Sequence, residues 1–383
     1  MKGIMRKSTY FTAIATFLMS ASTAVAVPVH TNSGNPAYPF PQFLEYACGG
    51  NLGTENPEGL VHAEMERYIR KAYQQHANEF EYTGKEYKGI KYIWTPYKAA
   101  YDCSEGDGYA LLAAAYMADK VTFDGYWMAT HDKRRVHTKR YSDCSDNAPN
   151  YEFGKFAISD GADEGGNTAA DGDVDVALAL YVAYKQWGEF MLDEKGEKVL
   201  DACGNPISYK QEMINVIRGL VAMTNMDAGK NPARVNTGII GLDGYPRGGD
   251  TWKEQTDWAL QEENYITVDG VKVYPLFANP GGEKQHIDYC APAYFREFHD
   301  LFVEMADAVG ATAEWEAEQF RRAEASSDWL IGDLIGKNKT SLPTAGWNTV
   351  SRDGSETTYS NFQDGEDYRC PWRTISNYAW HGN

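Results

Sequence analysis

Two short stretches place carboxylates where they could do chemistry. The first is Ala169-Ala170-Asp171-Gly172-Asp173-Val174-Asp175, three acids at alternate positions beside a glycine. Ala177, Leu180, Tyr181, Tyr184 and Trp187 then recur at three- and four-residue spacing, which predicts a helix with one buried face. The acids fall at the mouth of that helix, where the N-terminal partial charge favours an ionised carboxylate. The second stretch is Asp102-Cys103-Ser104-Glu105-Gly106-Asp107-Gly108-Tyr109, with two glycines around an acid just ahead of another helical pattern. Glycines there let backbone approach a ligand closely or take a positive φ. Ser104 is equally an N-cap candidate, with Glu105 or Asp107 completing the cap. Two carboxylates on separate helix mouths facing one cleft, one protonated and one ionised, are what hydrolysis of a glycosidic bond needs.

Other chemistries fit less well. Read as a calcium loop, the run from Asp171 has Val176 at the sixth position and Val182 at the twelfth, where glycine and glutamate are required. Asp173 and Asp175 therefore read as cap and solvent-facing residues, leaving Asp171 as the working acid. The eight histidines form no H-E-x-x-H pattern, so no metal and no other cofactor is expected. A serine-nucleophile elbow is missing too.

The elements that must position these acids are helical. Apolar periodicity marks helices through Leu60–Ala72, from Tyr109 to Tyr116, over Asp173–Trp187, and through Met213–Val221. Others open at Pro292, run from about Glu314 to Leu330, and begin near Trp372. Long Gly/Asp/Asn-rich loops fill 129–170, 225–264 and 335–370, and one hairpin is expected at Ile266–Tyr274 around Asp269-Gly270. No repeat of 20–50 residues is visible. Helices joined by long loops point to an all-α scaffold whose loops build a cleft.

Bulk properties narrow the partners. Lys2, Arg6 and Lys7 precede an apolar run from Tyr10 to Met19 and then Ala24-Val25-Ala26, a secretory leader over residues 1–26 with an A-x-A cleavage pattern. The run is too short to span a bilayer. Residues 27–383 are then expected to form the mature, secreted domain. A net charge of −18 opposes nucleic acid and anionic membrane surfaces as partners. With 10 Trp and 26 Tyr on so acidic a chain, carbohydrate is the compatible partner: rings stack on sugar faces and acids hold hydroxyls. The six cysteines (Cys48, Cys103, Cys144, Cys203, Cys290 and Cys370) show no C-x-x-C spacing, so one or two disulfides are expected in an oxidising compartment.

Four segments together resemble glycoside hydrolase family 8. Ala169-Ala170-Asp171-Gly172-Asp173 with its helix and Trp187 is similar to the family signature, Ala170 standing where Ser or Thr is usual. Ser104-Glu105-Gly106-x-Gly108-Tyr109 is similar to the segment that carries the general acid. Asp288-Tyr289-Cys290-Ala291-Pro292-Ala293-Tyr294-Phe295-Arg296 and Arg369-Cys370-Pro371-Trp372-Arg373 are similar to two further segments, in the family's order.

The resemblance implies an (α/α)6 barrel and an inverting hydrolase of β-1,4-glycans, acting as a monomer. It also implies that roughly the last two of twelve helices are missing, since the chain ends at Asn383. Glu105 would be the general acid, Asp171 the residue that grips and distorts the sugar, and Arg369 a contact to substrate or base. Tyr289 and Phe156 would line the substrate site. The base position falls at Glu366 in the ungapped register and at Asp367 after a one-residue shift, while an inserted-loop base keeps Asp250 and Glu262 in play. Phe156 stands near the place of the usual Trp platform, and a smaller platform favours xylan over glucan. Chitosan hydrolysis, or glycan binding without catalysis on the same scaffold, are the alternatives.

Overall fold

The structure, a computed structural model, describes residues 71–73, 75, 86–87, 90–91, 96–98, 101–134, 157–159, 162–164, 169–201, 203–221, 239–240, 244, 246, 248, 266–268, 271–273, 283–338, 347–350, 357–358 and 369–381. Helices dominate. In chain order they are α1 (Ser104–Tyr116), α2 (Lys120–Arg134), α3 (Ala170–Trp187), α4 (Tyr209–Val221), α5 (Pro292–Glu304), the single turn α6 (Ala306–Val309), α7 (Ala313–Asn338) and α8 (Arg369–His381). The all-α expectation holds, with α2 as a helix that the periodicity did not single out. Its sequence, KVTFDGYWMATHDKR, carries a glycine and four β-branched or aromatic residues among its first seven, a poor helix former by propensity. Burial of Phe123, Tyr126, Trp127 and Met128 on its inner side overrides that.

One core joins these helices. α3 is alanine- and leucine-rich, and Ala177, Leu178, Ala179, Leu180 and Ala183 are fully buried with Leu111, Ala114 and Ala115 of α1. Each large apolar side chain so buried contributes about 1.5–3 kcal/mol. Trp187, at the far end of α3, meets Phe123 of α2 edge-on at 5.1 Å and Tyr209 of α4 at 5.9 Å. Pro292 supplies the fixed φ that opens α5. Phe298 and Phe302, four residues apart, both meet Phe320 of α7 edge-on at 5.6 Å.

Two turns deserve a physical account. α1 ends in a Schellman arrangement: Asp119 N–H donates to Ala114 O at 2.9 Å and Ala118 N–H to Ala115 O at 3.0 Å. The left-handed residue this requires is Ala118, with φ 52°. Between α3 and α4 the chain makes the same eight-residue turn twice, Met191–Lys198 and Val199–Pro206. Asp193 Oδ1 accepts from the N–H groups of Lys195 and Glu197, and Asp201 Oδ1 from those of Cys203 and Asn205. Gly196 and Gly204 supply the positive φ in each. Cys203, in the second turn, is disulfide-bonded, while Cys290 is buried and outside any disulfide.

Short strands were underestimated, and they matter because they feed the helix mouths. The expected hairpin forms as β7 (Ile266–Val268) against β8 (Val271–Val273), Val268 opposite Val271. Beyond it lie β1 (Glu86–Tyr87) with β2 (Ile90–Lys91), and a four-stranded antiparallel sheet of β3 (Pro96–Lys98), β4 (Tyr101–Cys103), β5 (Ala157–Ser159) and β6 (Ala162–Glu164). A three-stranded sheet joins β9 (Glu283–His286), β10 (Trp347–Val350) and β11 (Thr357–Thr358). β4 runs without a break into α1, its Cys103 paired with Ala157. β9 runs directly into a 3₁₀ turn, Ile287–Tyr289, ahead of α5. Segments read as loops thus contain the strands that aim the site.

Candidate active site

Glu105 is the second residue of α1, and Asp171 the second residue of α3. What brings these helix ends together is glycine. A Cβ on Gly172 would lie 2.4 Å from both C and O of Ser104 and 2.8 Å from the Glu105 nitrogen. On Gly108 it would lie 2.8 Å from Gly172 O and 2.9 Å from Asp175 Cβ. The first turns of α1 and α3 therefore touch backbone to backbone, and each helix mouth presents its acid beside the other. The glycines of the Ser104–Tyr109 segment were expected to admit a ligand or a positive φ. Gly108 instead admits α3.

Several expectations about neighbouring residues need correction. Ser104 lies inside the helix and is buried, rather than capping it from outside. Asp107 is buried and accepts from Tyr126 Oη of α2 at 2.5 Å, a tie between helices. Ala169 occupies the N-cap of α3 and makes no side-chain cap hydrogen bond. Asp173 and Asp175, expected at the surface, are 1% and 0% exposed. The alternation that reads as a polar run is wound into a helix whose entire first turn is enclosed.

Asp175 explains itself through Arg373. The Arg373 guanidinium, fully buried, donates from Nη2 to Asp175 Oδ2 at 3.0 Å and to the Asp171 carbonyl at 3.2 Å. Burial, and then the charge of Asp175, push the hydroxyls of Tyr294 (α5) and Tyr116 (α1) well above the usual tyrosine range. Both stay neutral at any working pH. Breaking a buried ion pair by removing one partner costs about 3–5 kcal/mol, because the other charge is stranded.

The neighbouring residue of α8 serves the other acid. Trp372 packs on Tyr109 with ring centres 5.6 Å apart and planes at 58°. Tyr109 Oη in turn donates to Glu105 Oε1 at 2.7 Å. Adjacent residues Trp372 and Arg373 thus reach the two acid-bearing helix ends separately. Sequence reading used them as markers of resemblance and missed their contacts. The i, i+4 spacing of Glu105 and Tyr109 was the available signal, since such residues are neighbours on a helix surface.

Tyr289 closes the 3₁₀ turn ahead of α5 and is buried, at 7% exposed, among core residues. Arg369 is the first residue of α8. Phe156, Glu366, Asp367, Asp250 and Glu262 lie outside the described residues. Of the expected constellation, the structure brings together Glu105 and Asp171, with Arg373, Tyr109 and Trp372 added.

Residues 88–233, which span both acids, match the family described as Glycosyl hydrolases family 8. A protein of Niallia circulans named "Beta-glucanase" is 27% identical over 191 residues, 48% of this chain and 42% of that protein. The aligned part is thus less than half the length of that relative. Among solved structures, a reducing-end-xylose releasing exo-oligoxylanase superposes with a TM-score of 0.54 at 16% identity, over 87% of this chain and 70% of its own. A β-1,3-1,4-glucanase from Paenibacillus sp. X4 superposes with a TM-score of 0.51 at 18% identity, over 85% and 70%. The fold is that of these enzymes, an (α/α)6 barrel.

Proposed function

We propose that this chain, a family 8 glycosyl hydrolase by its residues 88–233, is a secreted, endo-acting hydrolase of β-1,4-linked glycans that works by single displacement. The observation that carries this reading is the backbone contact at Gly108 and Gly172, which sets Glu105 and Asp171 at abutting helix mouths. Glu105 donates its proton to the glycosidic oxygen as the bond to C1 breaks. Asp171 holds the sugar at the cleavage point, its position fixed by the Arg373 bond to its own carbonyl. A water attacks C1 from the opposite face and loses its proton to a base, for which Glu366 and Asp367 are the candidates. The β-linked substrate then yields an α-configured product.

Xylan is the favoured substrate and β-glucan the next. The small Phe156 platform supports the first, as does likeness to a xylose-releasing enzyme; the two glucanase relatives support the second. The leader pattern at residues 1–26 supports secretion. Reducing-sugar release from xylan, carboxymethylcellulose, lichenan and chitosan, run side by side, ranks the substrates. No release from any of the four overturns the reading. Replacing Glu105 with Gln should lower the rate by about two to four orders of magnitude, the usual worth of acid–base catalysis. A protein that only binds glycan would be unaffected. An NMR time course in which the β-anomer appears first contradicts inversion.

A further inference from the structure

We propose that Tyr109, braced by Trp372, is the positioning residue that aims Glu105 at the leaving oxygen; the inference rests on the reading of Glu105 as the acid. A glutamate in the first turn of a helix has three rotatable side-chain bonds and no intrinsic aim. Glu105 is partly exposed, so packing alone does not fix it. The Tyr109 hydroxyl, one turn on, donates to Oε1 at 2.7 Å. That bond fixes Oε1 and with it the direction of the carboxyl group that carries the proton to the substrate. Because a tyrosine ring is rigid beyond two torsions, the hydroxyl is only as well placed as the ring.

The ring is held from another element. Trp372 sits 5.6 Å from it, tilted at 58°, and the Arg373 guanidinium lies 5.8 Å from the Trp372 ring centre. Arg373 itself is locked by Asp175 and the Asp171 carbonyl. α8 therefore sets the acid's direction through an aromatic pair, while the same helix sets Asp171 through the Arg373 hydrogen bond to its backbone carbonyl. Neither Tyr109 nor Trp372 exchanges a proton with substrate in this account; each acts through Glu105.

The test separates aim from proton donation. Xylan needs a proton on its leaving oxygen, whereas β-xylobiosyl fluoride does not: water forms the new C1–O bond as fluoride departs with the C1–F electron pair. If glucan proves the better substrate, lichenan and β-cellobiosyl fluoride take their places. Glu105→Gln should lose polymer hydrolysis and retain fluoride hydrolysis; if it loses neither or both, the reading of Glu105 as acid fails, and this inference with it. Given that result, Tyr109→Phe, which keeps the ring and its packing, should lower kcat on polymer about tenfold with KM unchanged. Its fluoride hydrolysis should stay within twofold of the parent. Trp372→Phe should fall between the two, and Trp372→Leu should match Tyr109→Phe. Equal polymer kcat in Tyr109→Phe and parent, or equal losses on polymer and fluoride, would overturn the positioning role while leaving Glu105 as the acid.

Discussion

Among the described residues two arginine–carboxylate pairs are enclosed, and they do different things with the same chemistry. Arg218 of α4 meets Glu316 of α7 through two hydrogen bonds, Nε to Oε1 at 2.7 Å and Nη2 to Oε2 at 3.2 Å. It also donates to the Val309 carbonyl and to Thr312 Oγ1. Val309, Thr312 and Glu316 fall within eight residues at the turn from α6 into α7, so Arg218 fastens one corner. Arg373 of α8 divides one nitrogen between a carboxylate and the main chain of a candidate catalytic residue, both on α3. The first pair holds helices together; the second holds a helix to the chemistry. Burial and charge alone do not tell them apart. What the second arginine touches besides its counter-ion does.

The sharpest way to break the comparison is to remove each arginine. Arg218→Met and Arg373→Met should each destabilise by about 3–5 kcal/mol, read as the shift in urea midpoint, because each strands a buried carboxylate. Turnover should divide them. Measured where both remain folded, the Arg218 variant should keep kcat within twofold, and the Arg373 variant should lose about 100-fold, the cost of an ångström of misplacement. Removing both partners sharpens this further. Arg218→Met with Glu316→Leu, and Arg373→Met with Asp175→Leu, should each recover most of the stability. Only the first should recover the rate. Equal kcat in the two double variants would mean that Arg373 is a structural clamp like Arg218.

Glycines give a second contrast, at smaller cost. Gly172 has Ser104 main-chain atoms where a Cβ would go, and main chain does not swing aside. Gly172→Ala should therefore push α1 from α3, costing about 1–3 kcal/mol in overpacking and lowering turnover. Gly332, in α7, has nothing within 4 Å of its virtual Cβ. There alanine should stabilise by up to about 1 kcal/mol with no change in rate. Chemical denaturation with a parallel xylan assay reads both. A silent Gly172→Ala would mean that the two acids are not placed by backbone contact.

How far these features were legible in the sequence follows from their physical origin. The longer helices other than α2 were, because each buries one face and leaves a 3.6-residue period. Glu105 and Asp171 were, because they sit at helix mouths in recognisable segments. The short strands were not: two to four residues give too few alternations to separate from loop. Asp173 and Asp175 were misassigned for a clear reason. A carboxylate is buried only with a partner, and the partner, Arg373, lies 198 residues away in sequence from Asp175. Gly108 was legible as a site of close backbone approach, but the thing approaching is the other helix; Gly172, its counterpart on α3, stood out only as a neighbour of the acids.

Asp124, on the scaffold side, makes a pH-dependent prediction that the site should not share. It is buried in α2, where it accepts from Tyr209 Oη and is paired with Lys120 Nζ. Burial outweighs these partners and pushes its carboxyl up to about 6 from 3.8. Between those values the folded protein binds a proton that the unfolded chain releases. Stability contributed by Asp124 is therefore full below about pH 4 and lost as pH rises through about 6. The swing is on the order of 2–3 kcal/mol. In Asp124→Asn this part of the pH dependence should vanish, so the difference in unfolding free energy between parent and variant should slope between pH 4 and 6. A flat difference would place the titration elsewhere.

The smallest effect tests the hinge between the two regions. Ala118 takes the left-handed conformation that ends α1, the helix carrying Glu105, and leads into α2, the helix carrying Asp124. Glycine adopts that conformation without the Cβ clash that alanine suffers, so Ala118→Gly relieves about 1 kcal/mol. Against this stand the methyl group lost from a fully buried site and the greater freedom of the unfolded chain. The net should be stabilising by no more than about 0.5 kcal/mol, and the xylan rate should not change, because the Schellman hydrogen bonds use only backbone. A clear destabilisation would show that the Ala118 methyl, packed with Tyr73 and Met117, matters more than its backbone strain. α1 would then owe its register to that small cluster, and the link between scaffold and acid would run through side chains rather than through the turn.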